Sequence, residues 1–141
     1  MNLQGKKINV IGDSITQGVG VSSVENAYQN VMGRMVGAAE VRSFGISGTR
    51  LARQYGADNY PWPFTERFKA MPEDADLVIV FGGTNDSWAN APIGDLKFND
   101  WSSKDMYACL PATCFMLEYF TAVAPDSKVV FILNTELKDE I

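Results

Sequence analysis

The chain has 141 residues, 46% of them hydrophobic, with 12 Lys and Arg against 17 Asp and Glu for a net charge of −5. That is enough for one globular domain with a real core. The acidic balance, with basic residues scattered, offers no patch to neutralise phosphates, so nucleic acid and anionic membrane are excluded as partners. No apolar run approaches the length of a membrane span.

The N-terminus, Met-Asn-Leu-Gln-Gly-Lys-Lys, passes at once into a short apolar strand, Lys7 to Ile11, which ends in Gly12. It leaves no room for a signal peptide, so a soluble cytoplasmic protein is the expectation. Gly12-Asp13-Ser14-Ile15-Thr16 follows the strand. Glu25 to Val36 has helical spacing through Tyr28, Val31, Met32 and Met35. Val41 to Phe44 reads as a second strand and runs into the turn Gly45-Ile46-Ser47-Gly48. Phe64 to Met71 predicts a short helix, with Pro63 suited to its first turn. Asp76 to Phe81, apolar without alternation, predicts a strand buried on both faces.

Gly82-Gly83-Thr84-Asn85-Asp86 follows that strand. Thr84 to Ser103, with Trp88, Pro92, Gly94 and Trp101, reads as a long loop with one helical turn. Lys104 to Val123 is the longest helical segment, and Pro111 should bend it or mark a restart. Pro125-Asp126 turns the chain into a last strand, Lys128 to Leu133, before a charged tail from Asn134 to Ile141. Cys109 and Cys114 lie on different sides of their helix, which predicts buried structural thiols rather than a disulfide. Without histidine or Cys-x-x-Cys there is no obvious zinc site, and no cofactor is expected.

Alternating strands and helices with right-handed crossovers predict a doubly wound α/β sheet of order 2-1-3-4. Ligands bind such sheets at the carboxyl ends of the strands, where Ser14, Gly48 and Asn85 all fall. Each residue has an ordinary use. Ser14 or Asp13 could cap a helix, the turn could bind an anion, and Asn85 could be a turn residue. Their other use is chemical. A serine hydroxyl can attack an acyl carbon, while an Asn amide and a Gly N–H can donate to the oxyanion that forms. The loop lacks the Gly-Lys-Ser/Thr ending of a P-loop and the Gly-x-Gly-x-x-Gly of a dinucleotide site.

Three ordered blocks, covering the chain from about Lys6 to Thr135, resemble the SGNH hydrolases, also called GDSL-type esterases and lipases. The resemblance implies a three-layer αβα, flavodoxin-like fold and hydrolysis of acyl or acetyl esters. It implies Ser14 as nucleophile, with the N–H groups of Ser14 and Gly48 and the side chain of Asn85 as the oxyanion hole. The family's fourth block, Asp-x-x-His, has no counterpart here, and neither do its last strand and closing helix. A single, incomplete domain over residues 1–141, nearly inactive as an esterase, is therefore expected. Asp13 is expected to stabilise its turn and Asp86 to bind nearby backbone N–H groups. A non-catalytic α/β binding module that keeps the cleft, or a flavodoxin-like nucleotide or flavin binder, would fit the same features. The aromatic residues Tyr55, Tyr60, Trp62, Trp88, Phe98 and Trp101 could line an acyl pocket, stack on a sugar or simply pack beneath the loops. The uncharged run from Val129 to Leu133, at the sheet edge, predicts self-association.

Overall fold

The computed structural model describes residues 1–55 and 62–132. Four strands, β1 (Lys7–Gly12), β2 (Glu40–Gly45), β3 (Leu77–Phe81) and β4 (Lys128–Ile132), form one parallel sheet in the order β2-β1-β3-β4. β1 is central, pairing Ile8 with Val41 on one side and with Leu77 on the other. This is the expected order, and it leaves β1 and β3 as the inner strands, buried from Ile8 to Gly12 and from Leu77 to Val80, with the partly exposed β2 and β4 at the edges.

Side-chain alternation splits the core into two layers. Ile8, Val10, Leu77 and Ile79 pack on one face with Tyr28, Met32 and Val36 of helix α2 (Tyr28–Val36). Ile11, Val78 and Val80 face the other way, onto Phe64 of α3 (Phe64–Arg67), Phe68, and Met116 and Phe120 of α5 (Cys109–Val123). The result is three layers, helix–sheet–helix.

Several boundaries differ from expectation. The segment starting at Glu25 is not one helix: Val24–Asn26 makes a 3-10 turn, Ala27 is extended, and α2 begins at Tyr28. The apolar spacing from Tyr28 to Met35 lies wholly within α2, and the extended residue precedes it. Pro63 precedes α3 as its cap rather than entering the first turn, and Phe68–Ala70 continues as a 3-10 turn. Pro111 does mark a restart. A 3-10 turn at Asp105–Tyr107 ends in extended Ala108, and Pro111 is the third residue of α5, where its missing N–H costs no intrahelical bond. Both cysteines are free. Leu133 and the tail from Asn134 to Ile141 lie outside the described residues.

Candidate active site

β1 delivers Asp13 and Ser14 to the C-terminal rim of the sheet. Asp13, not Ser14, caps the short helix α1 (Ser14–Gln17): its carboxylate accepts the Ile15 N–H at 3.0 Å. Burial raises the Asp13 pKa, against the backbone hydrogen bonds and Arg67 that favour its ionised form. With the cap supplied by its neighbour, Ser14 is the first helical residue and stays half-buried. Its N–H belongs to the first turn, which has no acceptor within the helix.

β2 ends against this helix. A Cβ on Gly45 would stand 2.2 Å from the Gln17 nitrogen and 2.4 Å from the Thr16 carbonyl carbon, so only glycine lets β2 and α1 meet. The chain then turns through Ile46, whose N–H donates to Gly12 O at 3.1 Å, and Ser47, whose N–H donates to Gln17 Oε1 at 2.5 Å. Gly48 is exposed with φ +78°, the left-handed backbone that glycine adopts without strain. Buried Thr49 closes the turn by donating from Oγ1 to Ile46 O at 2.6 Å.

After β3, helix α4 (Thr84–Trp88) brings Asn85 and Asp86 to the same turn. Asn85 Nδ2 donates to Thr49 O at 2.8 Å, next to Gly48. Asp86 is 2% exposed and accepts the N–H groups of Leu51 at 2.9 Å and Ala52 at 3.0 Å. Burial raises its pKa, while those two N–H groups pull the other way. The Cys109 thiol donates to Asp86 at 3.7 Å, and burial together with the Asp86 charge pushes that thiol up to about 12. It is no nucleophile.

Ser14, Gly48 and Asn85 therefore sit on three consecutive turns that are hydrogen-bonded to one another. Asp13 and Asp86 hold turns, as expected, and neither carboxylate is set up as a base. The sequence contains no histidine. Among the described residues, no group of three His, Cys, Asp or Glu side chains could hold a metal ion.

The rim aromatics divide. Tyr55, Trp62, Trp88 and Phe98 are exposed, with Tyr55 stacked on Tyr107 at 3.9 Å. Trp101 instead belongs to the packing of α5, donating from Nε1 to Glu118 at 2.7 Å and meeting Phe115 edge-on. Tyr60 lies outside the described residues.

Sequence reasoning passed over Arg67. Its guanidinium donates to Phe44 O at 2.5 Å, to Gly12 O at 2.7 Å and to Thr49 Oγ1 at 3.0 Å. Burial lowers its pKa to about 10, opposed by Asp13, so it is charged at neutral pH. No local motif marks this residue, because its partners are distant in sequence.

Residues 7–141 match the family model of GDSL-like lipase/acylhydrolase. Among solved structures, a protein described as a GDSL-like lipase from Bacteroides uniformis is 28% identical with a TM-score of 0.84, over 96% of this chain and 74% of that one. Another so described, from Bacteroides ovatus, is 25% identical with a TM-score of 0.81, over 96% and 75%. A protein from Lactobacillus plantarum is 27% identical with a TM-score of 0.70, over 91% of this chain and 55% of that one. A further solved structure, 30% identical with a TM-score of 0.76, is spanned over 57% of its length. No curated protein matches the chain by sequence. Among the described residues, no helix is long and apolar enough to cross a membrane.

Proposed function

The chain belongs to the GDSL-like lipase/acylhydrolase family, and on that premise we propose that the rim of its sheet is a serine ester hydrolase site for acyl or acetyl esters. The observation that carries this reading is the lacing of three turns, Ile46 N–H to Gly12 O and Asn85 Nδ2 to Thr49 O, around Ser14 and Gly48. Ser14 Oγ is the proposed nucleophile. The oxyanion formed by its attack would be met by the N–H groups of Ser14 and Gly48 and by Asn85. The Asn85 amide carries two N–H groups, and the bond to Thr49 O uses one. That bond fixes the amide plane beforehand, which is what an oxyanion donor requires.

The proton of Ser14 needs an acceptor, and a chain with no histidine has no imidazole to take it. Loss of the base in a serine hydrolase costs roughly 10⁶-fold in turnover, and the oxyanion hole with binding alone retains about 10³-fold over water. The 141 residues by themselves are therefore proposed to be nearly inert on esters. This favours, as a second reading, a cleft that binds the tetrahedral oxyanion or its analogues without turnover.

Hydrolysis of p-nitrophenyl acetate, measured against Ser14→Ala, tests the first point. Turnover at ordinary enzyme rates that depends on Ser14 would mean that some other group serves as base. Binding of phenylboronic acid, which forms a tetrahedral adduct on a serine oxygen, tests the site itself. Wild type should bind it and Ser14→Ala should not; equal behaviour of the two would sink the serine assignment.

A further inference from the structure

The three turns share a support that belongs to none of the motifs. Helix α3 lies under the rim. At its C-terminal end, Arg67 reaches the last carbonyl of β1 (Gly12 O, 2.7 Å), a carbonyl at the end of β2 (Phe44 O, 2.5 Å) and the hydroxyl that closes the Gly48 turn (Thr49 Oγ1, 3.0 Å). At its N-terminal end, fully buried Phe64 donates its N–H to Arg50 O at 2.8 Å. Its ring fills the space beneath the third turn, where a Cβ on Gly82 would come within 2.6 Å of it. The Arg67 guanidinium lies 4.8 Å from the centroid of the same ring. One cation and one ring thus touch all three segments that carry Ser14, Gly48 and Asn85.

We propose that Arg67, backed by Phe64, is a positioning residue that sets the Ser14 and Gly48 turns at their working separation. Gly12 O already accepts the Ile46 N–H and keeps one lone pair, so Arg67 ties the same carbonyl that joins the two turns to a third point. The planar fork of a guanidinium can serve several such acceptors at fixed relative angles, which a lysine ammonium cannot do. Thr49 completes the arrangement, since its single hydroxyl hydrogen goes to Ile46 O and its lone pairs remain for Arg67. The Gly48 turn is held from inside, through Thr49, and from below, through the β2 carbonyl. From the functional reading the proposal takes only that Ser14 and Gly48 are the reacting turn residues.

The test uses amide hydrogen exchange and amide spectra of the full chain, with Arg67→Met and Arg67→Lys. In Arg67→Met, exchange at Ile46 and Thr49 should rise about tenfold to hundredfold, the effect of losing charge-assisted hydrogen bonds, while amides of the β3–β4 pair keep their protection. The Gly48 amide resonance should move in both variants. Arg67→Lys, which keeps the charge but loses the fork, should fall between wild type and Met. Wild-type exchange and an unmoved Gly48 resonance in Arg67→Met would overturn the proposal. So would a uniform rise across the whole sheet, which would make Arg67 a general stabiliser. If Arg67→Met does not fold, Arg67→Lys decides, and behaviour identical to wild type overturns it. Phenylboronic acid separates the two claims. Wild type that ignores it defeats the functional reading and leaves the exchange result to judge Arg67. Wild type that binds it, with Arg67→Lys at least several-fold weaker, supports both.

Discussion

Replacing Asp86 by alanine should unfasten the segment that follows the Gly48 turn. Its carboxylate is the acceptor for two backbone donors, Leu51 N–H at 2.9 Å and Ala52 N–H at 3.0 Å, on residues only 9% and 2% exposed. Without it, water has little access to either N–H. Each buried donor left unpaired costs about 1–3 kcal/mol. Against this, the variant no longer buries a carboxylate, and the raised pKa of Asp86 shows that burial does disfavour the ion. The net loss should be about 2–4 kcal/mol, a large part of the stability of a domain this size. At roughly 3–4 °C per kcal/mol, the melting temperature should fall by about 6–16 °C. Urea unfolding followed by tryptophan fluorescence measures the loss, with Asp86→Asn as comparison. Asparagine keeps one acceptor and presents an NH₂ where the other stood, so it should lie between wild type and alanine. An alanine variant within about 0.5 kcal/mol of wild type, the range of an ordinary surface change, would refute the idea that Asp86 carries this segment.

Gly45→Ala drives a methyl into the backbone of Gln17 and Thr16, so it should destabilise by at least about 1–3 kcal/mol, the usual cost of overpacking; a neutral effect in thermal unfolding would show that α1 is free to move off β2. Acid unfolding should show two carboxylates of opposite sign. Asp76, lowered by the Lys6 ion pair and by the Lys7 N–H, stabilises the fold above its unfolded pKa near 3.8, and that contribution is lost as pH falls through its lowered folded value. Asp86, raised by burial, contributes stability below 3.8 that is lost as pH rises through its raised folded value. Denaturant titrations at stepped pH should therefore find the acid limb flattened in Asp76→Asn and steepened in Asp86→Asn; the reverse order would contradict both assignments. Finally, β4 pairs only with β3 among the described residues, and Val130 on it is 45% exposed. We propose self-association through this edge, which light scattering at micromolar concentration should detect and Val130→Lys should weaken; a wild-type monomer would dismiss it.

The residues that end each strand were legible in the sequence because they rest on local signals, and the strand order because right-handed crossovers leave few arrangements. Buried parallel strands read as short apolar runs, and Gly12, Gly45 and Gly82 mark where those runs stop. Helix starts were harder. Nothing in the apolar spacing around Tyr28 announces that Ala27 is extended, since burial of Ala27 comes from tertiary packing. Asp13 and Asp86 could be read as turn holders from their type and place, although their partners could not be told apart from many others. Arg67 was invisible for a different reason. Its partners lie 55, 23 and 18 residues away, and it is ordinary in its own helix.

That separation has a bearing on synthesis. The Ser14 turn leaves the ribosome early, but the side chain that braces Gly12 follows 55 residues later. At about 5–20 residues per second the delay is roughly 3–11 s, far longer than a helical turn needs to form and dissolve. β3, the neighbour that covers one side of β1, comes later still, beginning at Leu77. For that interval the nascent chain carries an apolar strand with one open edge and a Ser14 turn without its brace. The bracing of the Ser14 turn is thus set by translation order, and the same seconds are the window in which a chaperone would find Ile8, Val10 and Ile11 uncovered.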